Sequence, residues 1–398
     1  MGATATALTS RQTAPLWLRR VALTRFRNLR QAELATDARP VVLTGPNGAG
    51  KTNLLEAISL LTPGRGLRRA PLAELESREP ANDASAVGWA VAAELVTPDG
   101  PRSLGTGSEP GVPGRSGGEA ADKRLVRIDG ERASSQQALG ELLSVVWLTP
   151  QMDRLFLDGP SARRRFLDRL VYGFDPRHAG RLTAYEKALR ERSRLLRAGS
   201  WDPVWVGALE DSLAERSVAI AAARRAAVER LAGACAQSLG AFPRAGLGLA
   251  GDAETRLGEA PAVEVESRLR ETLERQREHD AETGGAGVGA HRADFSVSHL
   301  ERRLPAALCS TGEQKALLIS IVLAHARLIA LEKGAAPLLL LDEVAAHLDE
   351  PRREALFEEL LALGAQSWLT GTDTAPFAPL GAAAQHVLVQ EGLLRTQG

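Results

Sequence analysis

Gly45-Pro46-Asn47-Gly48-Ala49-Gly50-Lys51-Thr52 is the stretch that decides the fold. Before it lies an apolar, β-branched run closing on Thr44. After it, Leu54, Leu55, Ile58 and Leu61 recur at helical spacing. The order is strand, glycine-rich turn, helix. Glycines let the backbone N–H groups of such a turn face phosphate oxygens, and the helix N-terminus adds partial positive charge. Lys51 would reach the β- and γ-phosphates of ATP, and the Thr52 hydroxyl would ligate Mg²⁺. The chain holds five lysines against 44 arginines, so a lysine here is not background usage.

A phosphate loop needs an acidic partner at the end of a neighbouring buried strand, and Leu338-Leu339-Leu340-Leu341-Asp342-Glu343 supplies one. Asp342 would hold Mg²⁺, and Glu343 would act as general base on the attacking water. Alone, an apolar run ending in Asp-Glu marks only where a strand meets solvent; beside a phosphate loop it gains meaning. Lys51 and Asp342 lie 291 residues apart, more than one compact nucleotide domain needs. The expected architecture is therefore an α/β head, split by an inserted α-helical arm. Its parts are an N-terminal lobe at 1–155, the arm at 156–290 and a C-terminal lobe at 291–398.

Within that plan, 16–44 reads as strand, turn and strand, and 86–132 as further strands with a hairpin through Asp129-Gly130. Residues 101–118 carry six glycines and three prolines and read as a flexible loop tip. Helices are expected at 161–173, 177–199, 204–242 and 263–279, the third with a one-sided apolar stripe suited to a helical hairpin. After 291 come a helix closed by Gly334, the acidic strand, a short strand at 366–373 and a closing hairpin at 386–395.

Composition narrows the class. The 398 residues are 44% hydrophobic and 25% charged, with 49 basic and 49 acidic side chains. Zero net charge argues against a globally basic nucleic-acid coat. It is a cancellation, however: 156–200 carries 11 basic against 5 acidic residues, and 201–290 carries 10 against 15. Two cysteines, Cys235 and Cys309, suit a reducing compartment. No apolar run reaches the ~20 residues that span a bilayer, the N-terminus lacks a signal layout, and its MGATAT start is a chance lipidation match. The expectation is a soluble, cytoplasmic protein with no membrane partner.

Cys309-Ser310-Thr311-Gly312-Glu313-Gln314-Lys315 resembles the signature motif of ABC-type ATPases, and Val344 to Asp349 resembles their D-loop. More narrowly, STGEQK, Phe26-Arg27-Asn28, Gly66-Leu67-Arg68 and Gly289-Ala290-His291-Arg292-Ala293-Asp294-Phe295 together resemble the RecF family, recombination mediators related to SMC ATPases. The likeness runs from about 16 to 390 in the right order. The family's usual Gly-Pro-His-Arg reads Gly-Ala-His-Arg here. The resemblance implies an ABC-type ATPase head (a P-loop NTPase) whose weak ATPase site is completed by a second copy of the chain. Ser310, Thr311, Gly312, Glu313 and Gln314 would then cap ATP held on the partner's Gly45–Thr52 loop. It further implies Arg68 at the nucleotide, Gln151 at the metal, Asp349 in the D-loop, and Thr372 and Asp373 where transporters carry a switch histidine. STGEQK also reads as an ordinary capped helix start, and an N-cap is what an anion site is built from.

Between Pro160 and Ser200 there are eleven Lys or Arg against four Asp or Glu, Arg163, Arg164 and Arg165 among them. Such helices track a phosphate backbone or simply face solvent; the resemblance favours DNA. His291 and Arg292 divide between tying the insertion to the head and a nucleotide-linked role. The implied function is an ATP-dependent protein of DNA replication and recombinational repair. It would bind single-stranded, gapped or junction DNA, dimerise on ATP, help RecO- and RecR-like proteins load recombinase, and support SOS induction. Two alternatives are the ATP-hydrolysing subunit of an ABC transporter and an SMC-like chromosome-structuring protein. The insertion is too short for the latter's coiled-coil arm.

Overall fold

The structure, a computed structural model, describes residues 14–77, 88–108, 124–237 and 240–397. Its first part contains β1 (Trp17–Phe26), β2 (Leu29–Ala35), β3 (Val41–Thr44), α1 (Lys51–Ser59), β4 (Ala90–Thr97), β5 (Gly100–Ser108), β6 (Arg124–Ile128), β7 (Glu131–Arg132), α2 (Gln137–Leu142) and β8 (Val145–Leu148). The insertion follows with α3 (Pro160–Phe174), α4 (His178–Arg197), α5 (Pro203–Ala236), β9 (Ala245–Ala250), α6 (Asp252–Arg256), α7 (Ala262–Arg275) and α8 (Arg277–Thr283). The chain returns through β10 (Asp294–His299), β11 (Leu304–Pro305), α9 (Thr311–Lys333), β12 (Leu338–Leu341), α10 (Glu350–Leu363), β13 (Ser367–Gly371), β14 (Gln385–Gln390) and β15 (Leu393–Gln397).

The central sheet has the order β15-β14-β3-β13-β12-β8, and from β14 to β8 every pair is parallel. Parallel strands are covered on both faces, and their alternation assigns each residue to one of two cores. Val42, Leu339, Leu341 and Leu369 join the core built on α9, while Val41, Leu43, Leu338, Leu340 and Trp368 join the core shared with α1 and the antiparallel sheet. That second sheet runs β2-β1-β4-β5-β6-β7. The fully buried amide of Gln366 stitches the two sheets together. It donates to the Leu18 and Asp37 carbonyls and accepts from the Leu18 N–H and the Trp368 indole. Burial costs this amide little because it is hydrogen-bonded throughout.

The insertion does not sit apart. Phe166, Leu167, Leu170 and Val171 of α3, Ala227, Val228, Leu231 and Cys235 of α5, and Phe295 and Val297 of β10 belong to the same core as α9. Packing therefore runs across both expected boundaries, 155/156 and 290/291. Farther out, two smaller cores form, one around Tyr185, Leu213 and Ile220 and one around Val218, Val265 and Leu269. Ion pairs buried beneath them lock the arm: Arg192 meets Glu210 and Asp280, and Arg224 meets Asp168. α9 is long and apolar enough to cross a membrane by length and composition, but 83% of its apolar window is buried inside the head. It is a core helix.

Four expectations change here. Residues 100–108 are a strand, not a loop tip; the rest of the expected loop, like the MGATAT start, lies outside the described residues. Gly107 is there because the Trp89 carbonyl approaches to 2.5 Å of where a Cβ would stand. The third helix stops at Ala236, short of Phe242. The expected 263–279 helix breaks at Gln276 into α7 and α8. β9 was not anticipated: its Gly246 and Gly248 interrupt the β-branched pattern that marks a strand. A Cβ at either would stand 2.5 Å from the Ser298 or Ser296 hydroxyl of the paired β10.

Candidate nucleotide site

The loop 45–50 leaves β3 and enters α1 with Gly45, Gly48 and Gly50 all at positive φ (147°, 79° and 116°), conformations that favour glycine. Gly45 is doubly constrained, since a Cβ would lie 2.1 Å from the Val389 carbonyl oxygen of β14. Pro46, Asn47 and Gly48 face solvent, so the cradle is open. Lys51 folds back across it, its Nζ donating to the Gly45 carbonyl at 2.6 Å and the Pro46 carbonyl at 2.9 Å. Burial lowers the Lys51 ammonium below the ordinary lysine value, against the opposing pull of Glu343 and Asp342.

Behind the lysine is a knot of hydroxyls and one carboxylate. Thr52 Oγ1 donates to Asp342 Oδ1 at 3.0 Å, and Thr370 Oγ1 donates to the same oxygen at 2.8 Å. The Thr370 hydroxyl also accepts from the Glu343 backbone N–H at 2.8 Å. Asp342 is raised above its ordinary range by burial, partly offset by the bonds from Thr370 and Thr52. Glu343 leaves β12 with φ of 53°, a strained backbone for a non-glycine residue. These donors fit ATP and Mg²⁺. Among the described residues no cluster of three His, Cys, Asp or Glu could hold a metal alone. Mg²⁺ at a nucleotide instead takes one carboxylate and one hydroxyl with phosphate and water, the set that Thr52 and Asp342 offer.

Side chains from the turn before β2, α1 and the segment after it brace the loop. Asn28 Nδ2 donates to the Gly48 carbonyl at 3.1 Å, Asn53 donates to Asn28, and Arg68 donates to Asn53 at 2.6 Å. Arg68 also pairs with Glu56, which is fully buried and held more tightly by Arg27. Arg68 is therefore at the loop, in contact with its braces. Thr370, Asn53 and Glu56 contact the candidate site and were missed by sequence reasoning. Thr370 carried no distinguishing signal, being one of three hydroxyl residues in Ser367-Trp368-Leu369-Thr370-Gly371-Thr372.

The signature residues lie apart. Ser310 caps α9 and shares a capping box with Glu313, its N–H and hydroxyl both donating to Glu313 Oε2 at 2.9 Å. Those two bonds hold the Glu313 carboxyl below its ordinary range, and Arg302 pairs with its other oxygen at 2.7 Å. Gln314 is buried on the Cys309 carbonyl. Ser310, Thr311 and Gly312 face solvent. The helix-start reading of STGEQK holds as a true capping box, and the same N-terminus is exposed.

Asp349 caps α10, and Thr372 and Asp373 bond each other in the exposed turn after β13. Gln151 is exposed in the turn after β8, whose Leu148 pairs with Leu341 beside Asp342. The arginine triplet divides. Arg163 forks onto Asp294 at 2.8 and 2.9 Å, and Arg164 donates to the Ala293 carbonyl at 2.6 Å. Both are engaged within the protein and half-buried, and of the three only Arg165 is exposed. His291 accepts from Tyr185 Oη at 2.6 Å and donates to the Ala286 carbonyl, where Arg292 also donates. Both residues hold the arm together.

A family profile described as the RecF/RecN/SMC N terminal domain matches residues 17–371. The DNA replication and repair protein RecF of Mesorhizobium japonicum is 50% identical over 377 residues, covering 94% of this chain and 96% of that protein. Its counterpart in Agrobacterium fabrum is 48% identical over 382 residues, covering 94% and 97%. These matches set the transporter alternative aside. Among solved structures, a recombination mediator RecF with ATPrS superposes with a TM-score of 0.80 at 21% identity, covering 98% of this chain and all of that one. An SMC head bound to a ScpA domain superposes at 0.53 with 14% identity, covering 96% and 97%. At these identities the structures speak for the fold.

Proposed function

The chain belongs to the RecF family of DNA replication and repair proteins, within the wider RecF/RecN/SMC group, and from that membership we propose an ATP-hydrolysing, DNA-binding recombination mediator. It works in the cytoplasm on single-stranded, gapped or junction DNA, pairs with a second copy on binding ATP, and acts with RecO- and RecR-like partners in loading recombinase and supporting SOS induction. The observation that carries the reading is the Thr52–Asp342–Thr370 knot behind an open phosphate loop, with Glu343 beside it.

In this reading, Lys51 exchanges its two loop carbonyls for phosphate oxygens, and Thr52 and Asp342 would hold Mg²⁺, which when bound would neutralise charge on the phosphates. Glu343 accepts the proton of the attacking water. Ser310 and Gly312 stand exposed at the start of α9, suited to meet the γ-phosphate held by the other copy. Ser310 Oγ–H then turns from Glu313 to phosphate, and Arg302 offsets the Glu313 charge that would otherwise repel it.

Two substitutions test this. Lys51→Ala should abolish ATP binding in equilibrium dialysis. Glu343→Gln should keep binding, lower hydrolysis at least about 100-fold, and accumulate an ATP-dependent dimer on size exclusion. Hydrolysis by Glu343→Gln at the normal rate would place the base elsewhere.

A further inference from the structure

We propose that the seam between α3 and the segment after α1 is a phosphate-binding site, built by Arg69, Arg165 and Arg169 beside the Trp147 indole. It takes one phosphodiester of a DNA backbone or a free phosphate, and it is separate from the loop that faces ATP.

Packing fixes the two sides of the seam. A Cβ on Gly140 of α2 would stand 3.1 Å from Pro63, in the segment after α1, and 3.1 Å from Pro176, in the turn after α3. Both stretches therefore cross the same small residue. Farther along, Arg69 comes close enough to act on the charges of both Arg169 and Tyr172. Arg165, Arg169 and Tyr172 follow one another at steps of four and three, so they share one face of α3, the face near Arg69.

That face is rich in donors that lack an acceptor. Arg169 is half-buried, its guanidinium 4.6 Å from the centre of the Trp147 ring and 5.2 Å from that of Phe166. Its Nη2 donates to the Met152 sulfur at 3.4 Å, a weak acceptor, and its buried Nε–H has no partner. The indole N–H of Trp147, only 7% exposed, has none either. Arg69 and Arg165 are exposed, Arg165 donates to the Ser161 hydroxyl, and among the described residues neither has a carboxylate partner. The neighbouring acids are engaged: Asp168 with Arg224 and His178, Asp153 with Lys315, and Glu186 with Arg190.

Cations that face each other repel, and buried donors without acceptors cost free energy. Burial pushes the Arg169 guanidinium down to about 9, and the charge of Arg69 adds to the fall. An anion with several oxygens relieves both penalties, because it stands between the charges and accepts from the free N–H groups. Phosphate suits the arginines, whose planar forks match its oxygens.

The test uses the full-length Lys51→Ala chain, so that the phosphate loop does not answer for the seam. In about 10 mM inorganic phosphate, against chloride of equal ionic strength, its thermal midpoint should rise by about 1–2 °C. Arg69→Ala and Arg169→Met, each added to that chain, should lose most of the rise. If Arg169→Met lowers the midpoint in chloride, Arg69→Ala, at an exposed position, decides alone. With Lys51 intact, the two substitutions together should lower the slope of log duplex affinity against log salt by about 0.9, one phosphate contact. This second measurement rests on the DNA-binding reading above, and the first does not. Loss of the rise with a lower slope supports the site and assigns it to a DNA backbone; loss of the rise with an unchanged slope supports it and assigns it to a free phosphate. No rise with the seam intact, or a rise that survives the substitutions, overturns the site and leaves the DNA-binding reading standing. A chain that binds no duplex overturns that reading instead, and the phosphate measurement still decides the seam.

Discussion

Thr370 shows how much one hydroxyl carries. It donates to Asp342, accepts from the Glu343 N–H, and so sets the carboxylate and the strained residue after it with a single oxygen. Thr370→Val keeps the shape and removes both bonds, leaving a buried N–H unpaired at a cost of about 1–2 kcal/mol. Burial already raises the Asp342 pKa and the Thr370 bond works against that, so its loss raises the pKa further. Asp342 must be ionised to serve a metal. The acidic limb of the hydrolysis pH profile should therefore move to higher pH in Thr370→Val, with kcat down about tenfold; an unmoved limb would show that Thr370 does not set Asp342. The loop residues and both acids were legible because glycine, lysine and the acid pair occur in a fixed pattern. Thr370 was not, because a threonine on a strand has many ordinary reasons to be there.

At the scale of elements, α9 is instructive. His325 lies fully buried at the joint of α9 and α3, its Nε2–H donating to the Leu170 carbonyl at 2.8 Å. Burial pushes its pKa from the ordinary 6.5 down to about 3. A depressed folded-state value means that stability is complete above pH 6.5 and is lost as pH falls towards 3, because only the unfolded chain takes up the proton. The loss is about 1.4 kcal/mol per pH unit. Urea unfolding at pH 7.5 and pH 5 should thus show about 2 kcal/mol of acid sensitivity that His325→Gln lacks. Helices with long apolar stripes and the closing hairpin were readable from periodicity. β5 and β9 were not: their glycines mark close approach by a neighbouring strand, and no local pattern separates that from a loop.

At the scale of the whole molecule, neutrality conceals a division of labour among arginines. Some are scaffold and some are surface, and composition counts both alike. Arg163 belongs to the scaffold, so Arg163→Ala should lower stability by about 1–2 kcal/mol in chemical denaturation. It should leave the salt dependence of DNA binding unchanged; a flatter slope would return Arg163 to the DNA surface. The split head was legible from the distance between Lys51 and Asp342, whereas the shared core of arm and head was not, since packing partners leave no mark at fixed spacing. That shared core has a mechanical consequence. α9 begins at the signature and runs 23 residues, about 34 Å at the helical rise, buried along its middle and packed against α5. The exposed Ser310 end of α9 is thus tied through one continuous core to α5 of the arm, so a load on that end bears on the arm as well as the head.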